Sequence, residues 1–330
     1  MPVTDVAPAA DVSSATLSAG LFHGADVRSS ALAFAHMTRP VILTVHAHPD
    51  DEASKGAPSI AKYNAAGAHT VLVCCTGGEE GSILNPAMDN DEVRADIAAV
   101  RKAELDLAAQ VIGYEVVERL GYRDSGMPES PSNEHPDCFW QADLDEAIGR
   151  LVAIIRREKP QVIVTYSDDQ RGYEHPDHLR VHDISLPAFD RAADPDWYPE
   201  AGEPWQPLKM YYTTWSRARM VAMHEKFLEL GMESPWAERW DAMQKRPDQE
   251  DRITARVPID GFQDARTEGL LAHATQIDPT SAFWFGLPKE VANSVHPFDD
   301  YILARSLVDT GASEDDLFAG IDDLEWEPQT

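Results

Sequence analysis

Four short apolar runs punctuate residues 41–166: Val41-Ile42-Leu43-Thr44-Val45, Thr70-Val71-Leu72-Val73-Cys74-Cys75, Val116-Val117-Glu118-Arg119-Leu120 and Val162-Ile163-Val164-Thr165-Tyr166. Runs this continuous suit strands buried on both faces. Between them the period lengthens. Residues 53–66 read as a helix that stops at Gly67. A long helix is expected over 91–112, with Val93, Ile97, Val100, Glu104, Leu107 and Val111 three and four apart on one stripe. Another is expected over 141–158, carrying Leu144, Ile148, Leu151, Ile154 and Ile155. Residues 121–138 form a Pro/Ser/Gly-rich loop.

Strand–helix alternation repeated in this way predicts an α/β fold. It would be a mostly parallel, Rossmann-like sheet with helices on both faces. Beyond residue 196 the pattern loosens into strands near 208–214 and 253–257 and helices near 216–230 and 262–276. These predict a smaller C-terminal α+β cap. The Trp- and Pro-rich stretch 195–207 is expected as a lid or cap on a pocket.

Two clusters follow two of the strands directly. Ala47-His48-Pro49-Asp50-Asp51-Glu52 follows the first, and Gly172-Tyr173-Glu174-His175-Pro176-Asp177-His178 follows 162–166. Strand exits of an open parallel sheet are where ligands bind. Two imidazoles and a carboxylate meeting there match an open catalytic zinc site, which takes three protein ligands and leaves one position for water. His48 and Asp51, three residues apart, can turn inward together, and His178 would be the third ligand. Asp50 then points elsewhere and is the candidate general base. His175 is placed to support an oxyanion or protonate a leaving amine, and Asp177 to orient a ligand histidine from behind. Zinc and iron(II) both accept two histidines and an aspartate, so either would serve, one ion per chain.

The chain contains its own controls. His135-Pro136-Asp137-Cys138 lies in a polar loop with no strand to hold it and reads as a turn, as does His296-Pro297. His46 shares a strand face with His48 and reads as packing or support. Cys74-Cys75 reads as core strand.

The net charge of −29 over 330 residues repels phosphate backbones and argues against nucleic acid as a partner. Three cysteines, two of them adjacent, make no disulfide framework, and a cytoplasmic setting fits. No run approaches a membrane span of about 18 apolar residues. The expected organisation is a disordered leader over 1–38, a metal-binding core over 39–195, and a part over 196–330 that completes the substrate pocket. Nothing in the sequence specifies the oligomeric state.

The two histidine clusters resemble the zinc-dependent GlcNAc deacetylase family that includes the LmbE-like and PIG-L enzymes. Further stretches resemble its mycothiol branch, and within it the S-conjugate amidases. These are Thr76-Gly77-Gly78-Glu79, Ile83 to Asp89, Tyr122 to Pro128, Ala272 to Pro279 and Leu317 to Ile321. The resemblance implies that His48, Asp51 and His178 hold zinc, Asp50 is the base and His175 supports the oxyanion. It implies a mobile Tyr173 that polarises the carbonyl, and Arg101 and Asp124 holding a sugar–inositol. Lys55 resembles the amidase side of the branch. One helical turn beyond Asp51, it could pair with the cysteinyl region of a substrate, and residues 121–138 and 195–207 could wall a large S-substituent. The implied substrate is a small-molecule thiol conjugate, cleaved to glucosaminyl-inositol and a mercapturic acid for detoxification. The alternatives are the deacetylase of mycothiol biosynthesis, a related secondary-metabolite amidase, or a sugar-binding module without catalysis. Glu80-Gly81-Ser82 departs from the Arg-Gly-Glu of the amidases, and Asp168 to Arg171 from their more Asn/Gly-rich stretch.

Overall fold

The computed structural model describes residues 39–322, 324 and 326, so the leader expected over 1–38 lies outside the described residues. The four apolar runs are strands: β1 (Val41–His46), β2 (His69–Thr76), β3 (Val116–Tyr122) and β4 (Val162–Tyr166). With β5 (Lys209–Thr214), β6 (Ala255–Pro258) and β7 (Phe298–Ser306) they form one sheet of order β3-β2-β1-β4-β5-β7-β6. The first five strands run parallel; β7 is antiparallel to β5, and β6 to β7.

Alternate strand residues feed two cores. Val41, Leu43 and Val45 pack with α5 (Leu144–Glu158) and α6 (Pro176–Arg191). Ile42 and Leu72 pack on the other side with α2 (Ala57–Ala65), α4 (Ile97–Ile112) and α9 (Asp264–Ala272). The sheet is thus covered on both faces, as the strand–helix alternation predicts. A third, small core of Phe227, Trp236 and Leu287 lies in the C-terminal part. It gathers α7 (Arg217–Glu229), α8 (Trp240–Gln244), α10 (Ala282–Phe285) and α11 (Lys289–Val295).

Three expectations need correction. The helix over 91–112 breaks at Asp96 into α3 (Asp91–Ala95) and α4, and the Asp96 carboxylate caps α4 by accepting the Ala99 N–H at 3.2 Å. Its buried stripe is Arg101, Glu104, Leu105, Ala108, Ala109 and Ile112, while Leu107 and Val111 are exposed. Small alanines let neighbours approach, and the charged residues are buried because they are satisfied. Glu104 accepts the Thr275 N–H and hydroxyl at 2.8 and 2.7 Å. Counting apolar residues alone selects the wrong face.

The stretch 195–207 is no lid. Trp205 Nε1 donates to Pro160 O at 2.7 Å, just before β4, whereas the histidine cluster follows β4. The buried Arg156 guanidinium gathers this turn by donating to the carbonyls of Ala192, Tyr198, Asp194 and Trp197 at 2.7–3.0 Å. A fork of five donors suits that role.

Strand β7 has no apolar-run signature, because Asp299 and Asp300 interrupt it. Both are buried and paired. Asp299 accepts from Ser59 N and Oγ at 3.1 and 2.8 Å, and Asp300 from Ser216 Oγ at 2.5 Å and His296 at 2.8 Å. The fully buried Lys209 ties residue 314 to the sheet, with Nζ 2.7 Å from Glu314 Oε1.

Candidate metal centre and active-site cleft

The exits of β1 and β4 lie side by side where the strand order reverses, which opens a crevice between their loops. His48 and Asp50 sit in the turn after β1, and Asp51 opens α1 (Asp51–Ser54). His175 caps α6, whose first turn carries Asp177 and His178.

The turn is held against strain. Asp50 has φ 113°, in the region that disfavours side chains, at a cost of about 1–3 kcal/mol. Its N–H donates to Glu52 Oε2 at 3.0 Å, and Glu52 Oε1 pairs with His273 Nε2 at 2.5 Å, both side chains fully buried. Arg101 braces the same turn, donating to Pro49 O at 2.6 Å and meeting Asp50 Oδ2 at 3.3 Å. It also donates to Gly78 O. Gly78 has φ +69°, and a Cβ there would lie 2.3 Å from Arg101 Nη1, so only glycine admits the guanidinium.

His48, Asp51 and His178 offer ligand atoms within 4.8 Å of one another, and all three are buried. His48 Nδ1 and His178 Nε2 each lie 3.3 Å from Asp51 Oδ2. His178 Nε2 is buried with no hydrogen-bond partner, as a nitrogen awaiting a cation would be. Behind the triplet, His48 Nε2 donates to Asp177 Oδ2 at 3.1 Å, which leaves the Nδ1 lone pair free. Asp177 is held in turn by the Ser125 N–H at 2.9 Å and the Ser125 hydroxyl. A second group, His48, Asp124, His175 and Asp177, is equally compact. Its carboxylates, however, accept three backbone N–H groups, from Ser125, Gly126 and Glu80, and its His175 Nδ1 a fourth from Asp177, against the single one that Asp51 Oδ2 accepts from His48 in the first group. The donor set of the first group fits a divalent ion better.

The electrostatics agree with a cation-demanding site. Burial pushes the His48 imidazole down, but Asp124, Asp177 and Asp51 outweigh it and hold it well above its ordinary value. Burial pushes Asp51 up, but Lys55 and His178 hold it well below the usual carboxylate range. Burial outweighs the support that Asp51 alone gives His178 and pushes it down to about 4.

The other expected residues fall around this point. Asp50 is half-buried, and burial, opposed by Arg101, raises its carboxyl above the usual range. His175 lies 4.5 Å ring to ring from His48; its Nδ1 accepts the Asp177 N–H at 3.2 Å, so its proton sits on Nε2. Burial and then His48 lower its affinity for a second proton. Tyr173 is exposed, its ring 5.1 Å from that of His178. Asp124 Oδ1 is 3.5 Å from His48 Nε2. Lys55 pairs with Asp51 Oδ1, with its ammonium 5.5 Å from the Tyr166 ring centroid.

Most of these groups line a cleft of about 360 Å³, together with Glu80, Ser82, Met127 and Gln276. Met127, with Asp124 and Gly126, brings the 121–138 loop to this cleft, while none of that loop lines the neighbouring hollow around Trp215. His135, by contrast, is exposed, and Cys74 and Cys75 are buried core. His46 is buried, its Nδ1 3.4 Å from Tyr166 Oη, and burial lowers it to about 4. Sequence reasoning missed the Glu52–His273 brace, Tyr166 and Ser125. Ser125 stood in a quoted stretch, Tyr122 to Pro128, with no role read for it. The brace joins residues 221 positions apart, beyond any local pattern.

The family described as "PIG-L: GlcNAc-PI de-N-acetylase" matches residues 43–189. A mycothiol S-conjugate amidase of Streptomyces coelicolor is 46% identical over 291 residues, covering 86% of this chain and 97% of its own. A 1D-myo-inositol 2-acetamido-2-deoxy-alpha-D-glucopyranoside deacetylase of Geodermatophilus obscurus is 39% identical over 289 residues, covering 85% and 97%. Among solved structures, an N,N'-diacetylchitobiose deacetylase from Pyrococcus horikoshii has a similar fold. Its TM-score is 0.53 at 16% identity, covering 86% of this chain and 94% of that one.

Proposed function

The chain belongs to the PIG-L family of GlcNAc-PI de-N-acetylases, hydrolases that act on amides, and on that premise we propose that it is a zinc-dependent amidohydrolase of mycothiol S-conjugates. It would split the amide between glucosaminyl-inositol and an S-substituted N-acetylcysteine, adding water to give the free amine and a mercapturic acid.

His48 Nδ1, Asp51 and His178 Nε2 are the groups that would hold the ion, zinc or iron(II), one per chain. Bound there, it would polarise the amide carbonyl and bring the pKa of water towards about 7. Asp50 takes the proton from the attacking water, and burial makes its carboxylate more basic than usual. Arg101 and the Glu52–His273 brace keep that carboxylate aimed at the cleft. His175 donates from Nε2 to the carbonyl oxygen as negative charge gathers there. Asp50 then returns its proton to the glucosamine nitrogen as the C–N bond breaks. Tyr173 stands on the rim above, and Asp124, Ser82 and Gln276 face the hydroxyl-rich half of the substrate. Three buried free thiols support a cytoplasmic setting.

The observation that carries this reading is the meeting of an unpartnered His178 nitrogen, His48 Nδ1 and Asp51 with a base and a donor around one cleft. Preference for the conjugate over the plain acetyl sugar is supported by Lys55 beside Asp51 and by the greater identity to the amidase. Steady-state turnover of a fluorophore-conjugated mycothiol, measured beside N-acetylglucosaminyl-inositol, tests it. The conjugate should be cleaved much faster; equal or faster deacetylation would replace the amidase reading with the deacetylase.

A further inference from the structure

The cleft does not end at the candidate metal centre. Tyr173 and His178, which wall it on one side, also wall a second hollow of about 350 Å³ that contains Lys55, Tyr166, Trp215 and Met220. That hollow shares Gly172, Thr214, Trp215, Met220 and Arg246 with a third of about 410 Å³, to which Met243 and Ile253 add apolar wall. The three hollows thus follow one another past the candidate centre, each sharing wall residues with the next. On one side of His178 the charged, hydroxyl and amide groups of Glu80, Ser82, Arg101, Asp124 and Gln276 line the cleft, with Leu84 and Met127 among them. On the other, an indole, two thioethers and an isoleucine stand among polar groups.

The polar arm suits a sugar and an inositol. With the scissile carbonyl at the centre, the acyl part points into the other arm. An acetyl group ends at its methyl carbon and has no atoms to fill it. A cysteinyl acyl group carrying a substituent on sulfur does.

Charge narrows the occupant further. Arg171 and Arg217, at the edge of this arm, are neutralised by Asp169 and Asp248. Arg246 makes no ion pair or side-chain hydrogen bond among the described residues. Its guanidinium stands beside Gly172, where a Cβ would lie 2.6 Å from Nη1, and Arg246 lines both hollows. Exposed there and without an ion pair among the described residues, it can offer its charge to a bound group in a chain whose net charge is −29.

Resting on the amidase reading, we propose that this arm seats the S-substituent. Trp215, Met220 and Met243 would take an aromatic or alkyl body, and Arg246 an anionic group carried on it, so that the arm selects among conjugates.

The test uses three substrates with the full chain: S-benzyl mycothiol, S-(4-carboxybenzyl) mycothiol and N-acetylglucosaminyl-inositol. Wild type should favour the carboxybenzyl conjugate over the benzyl one in kcat/KM. Arg246→Glu should lose about tenfold or more on the carboxybenzyl conjugate, chiefly in KM. It should change the benzyl conjugate by no more than about threefold. Met220→Glu should weaken both conjugates by about tenfold. Neither variant should alter deacetylation, which also shows that both fold. If wild type cleaves the conjugates well but both variants are silent on them, or lower all three substrates alike, the groove assignment is overturned while the amidase reading stands. If wild type cleaves neither conjugate faster than the acetyl sugar, the amidase reading fails and the assignment falls with it.

Discussion

Asp177 touches neither substrate nor the proposed ligand position directly, yet it should control metal affinity. Its Oδ2 accepts the His48 Nε2 proton at 3.1 Å and the Ser125 N–H at 2.9 Å, and its Oδ1 accepts the Ser125 hydroxyl. In Asp177→Asn, the amide oxygen can keep the first two bonds while the new NH2 faces the Ser125 hydroxyl, which can turn to accept. The fold should therefore survive. What disappears is the negative charge behind His48, and with it part of the ring's basicity at Nδ1. Groups in that position are typically worth about 10–100-fold in metal affinity, or about 1.4–2.7 kcal/mol at 1.36 per decade. Asp177→Ala differs in kind. It strands the buried His48 and Ser125 N–H groups, each at about 1–3 kcal/mol, and removes the constraint on the His48 tautomer. Competition with a chelator of known affinity, with circular dichroism to monitor folding, reads both variants. Zinc affinity of Asp177→Asn equal to wild type would refute the assignment of His48 Nδ1 as the ligand atom.

Three further outcomes are expected. Asp50→Asn should keep metal and fold but lose about two to four decades of turnover; near-normal turnover would move the base role to another group, His175 first. Lys209→Ala leaves the buried Glu314 carboxylate uncompensated, which should cost about 3–5 kcal/mol in urea unfolding. Burial pushes the Asp300 carboxyl up, but His296, Ser216 and Arg256 outweigh it and hold it below its ordinary value. A carboxyl lowered in the folded state stabilises above its unfolded pKa of about 3.9 and loses that support as pH falls through the folded value. Below about pH 4 the urea midpoint of wild type should therefore fall more steeply than that of Asp300→Asn, and parallel slopes would refute the linkage.

What was legible in the sequence was local. Strands β1, β2 and β4 announce themselves because both of their faces are buried, so their runs are unbroken; β3, only partly buried, shows a shorter run broken by Glu118 and Arg119. The two histidine clusters announce themselves because each lies within a few residues of a strand exit. Long-range satisfaction of polar groups was not legible. Arg101 and Glu104 sit on the buried face of α4 only because Gly78, Pro49 and Thr275 receive them. Asp299 and Asp300 sit within β7 only because Ser59, Ser216 and His296 do. The tryptophans of 195–207 misled for a related reason: apolar character marks burial but not at which end of the sheet. The apolar wall beside the site comes instead from Trp215, Met220 and Met243; the helix expected near 216–230 does carry Met220, but its period does not say which cleft that residue faces.

The measurement that bears most directly on the account is a zinc titration of metal-free protein, followed by turnover of a mycothiol S-conjugate. Activity should rise in proportion to added zinc and level off at one equivalent, and His178→Ala should stay inactive across the same range while His135→Ala follows wild type. Turnover in the metal-free protein equal to that of the loaded one, or full zinc-dependent activity in His178→Ala, would contradict it.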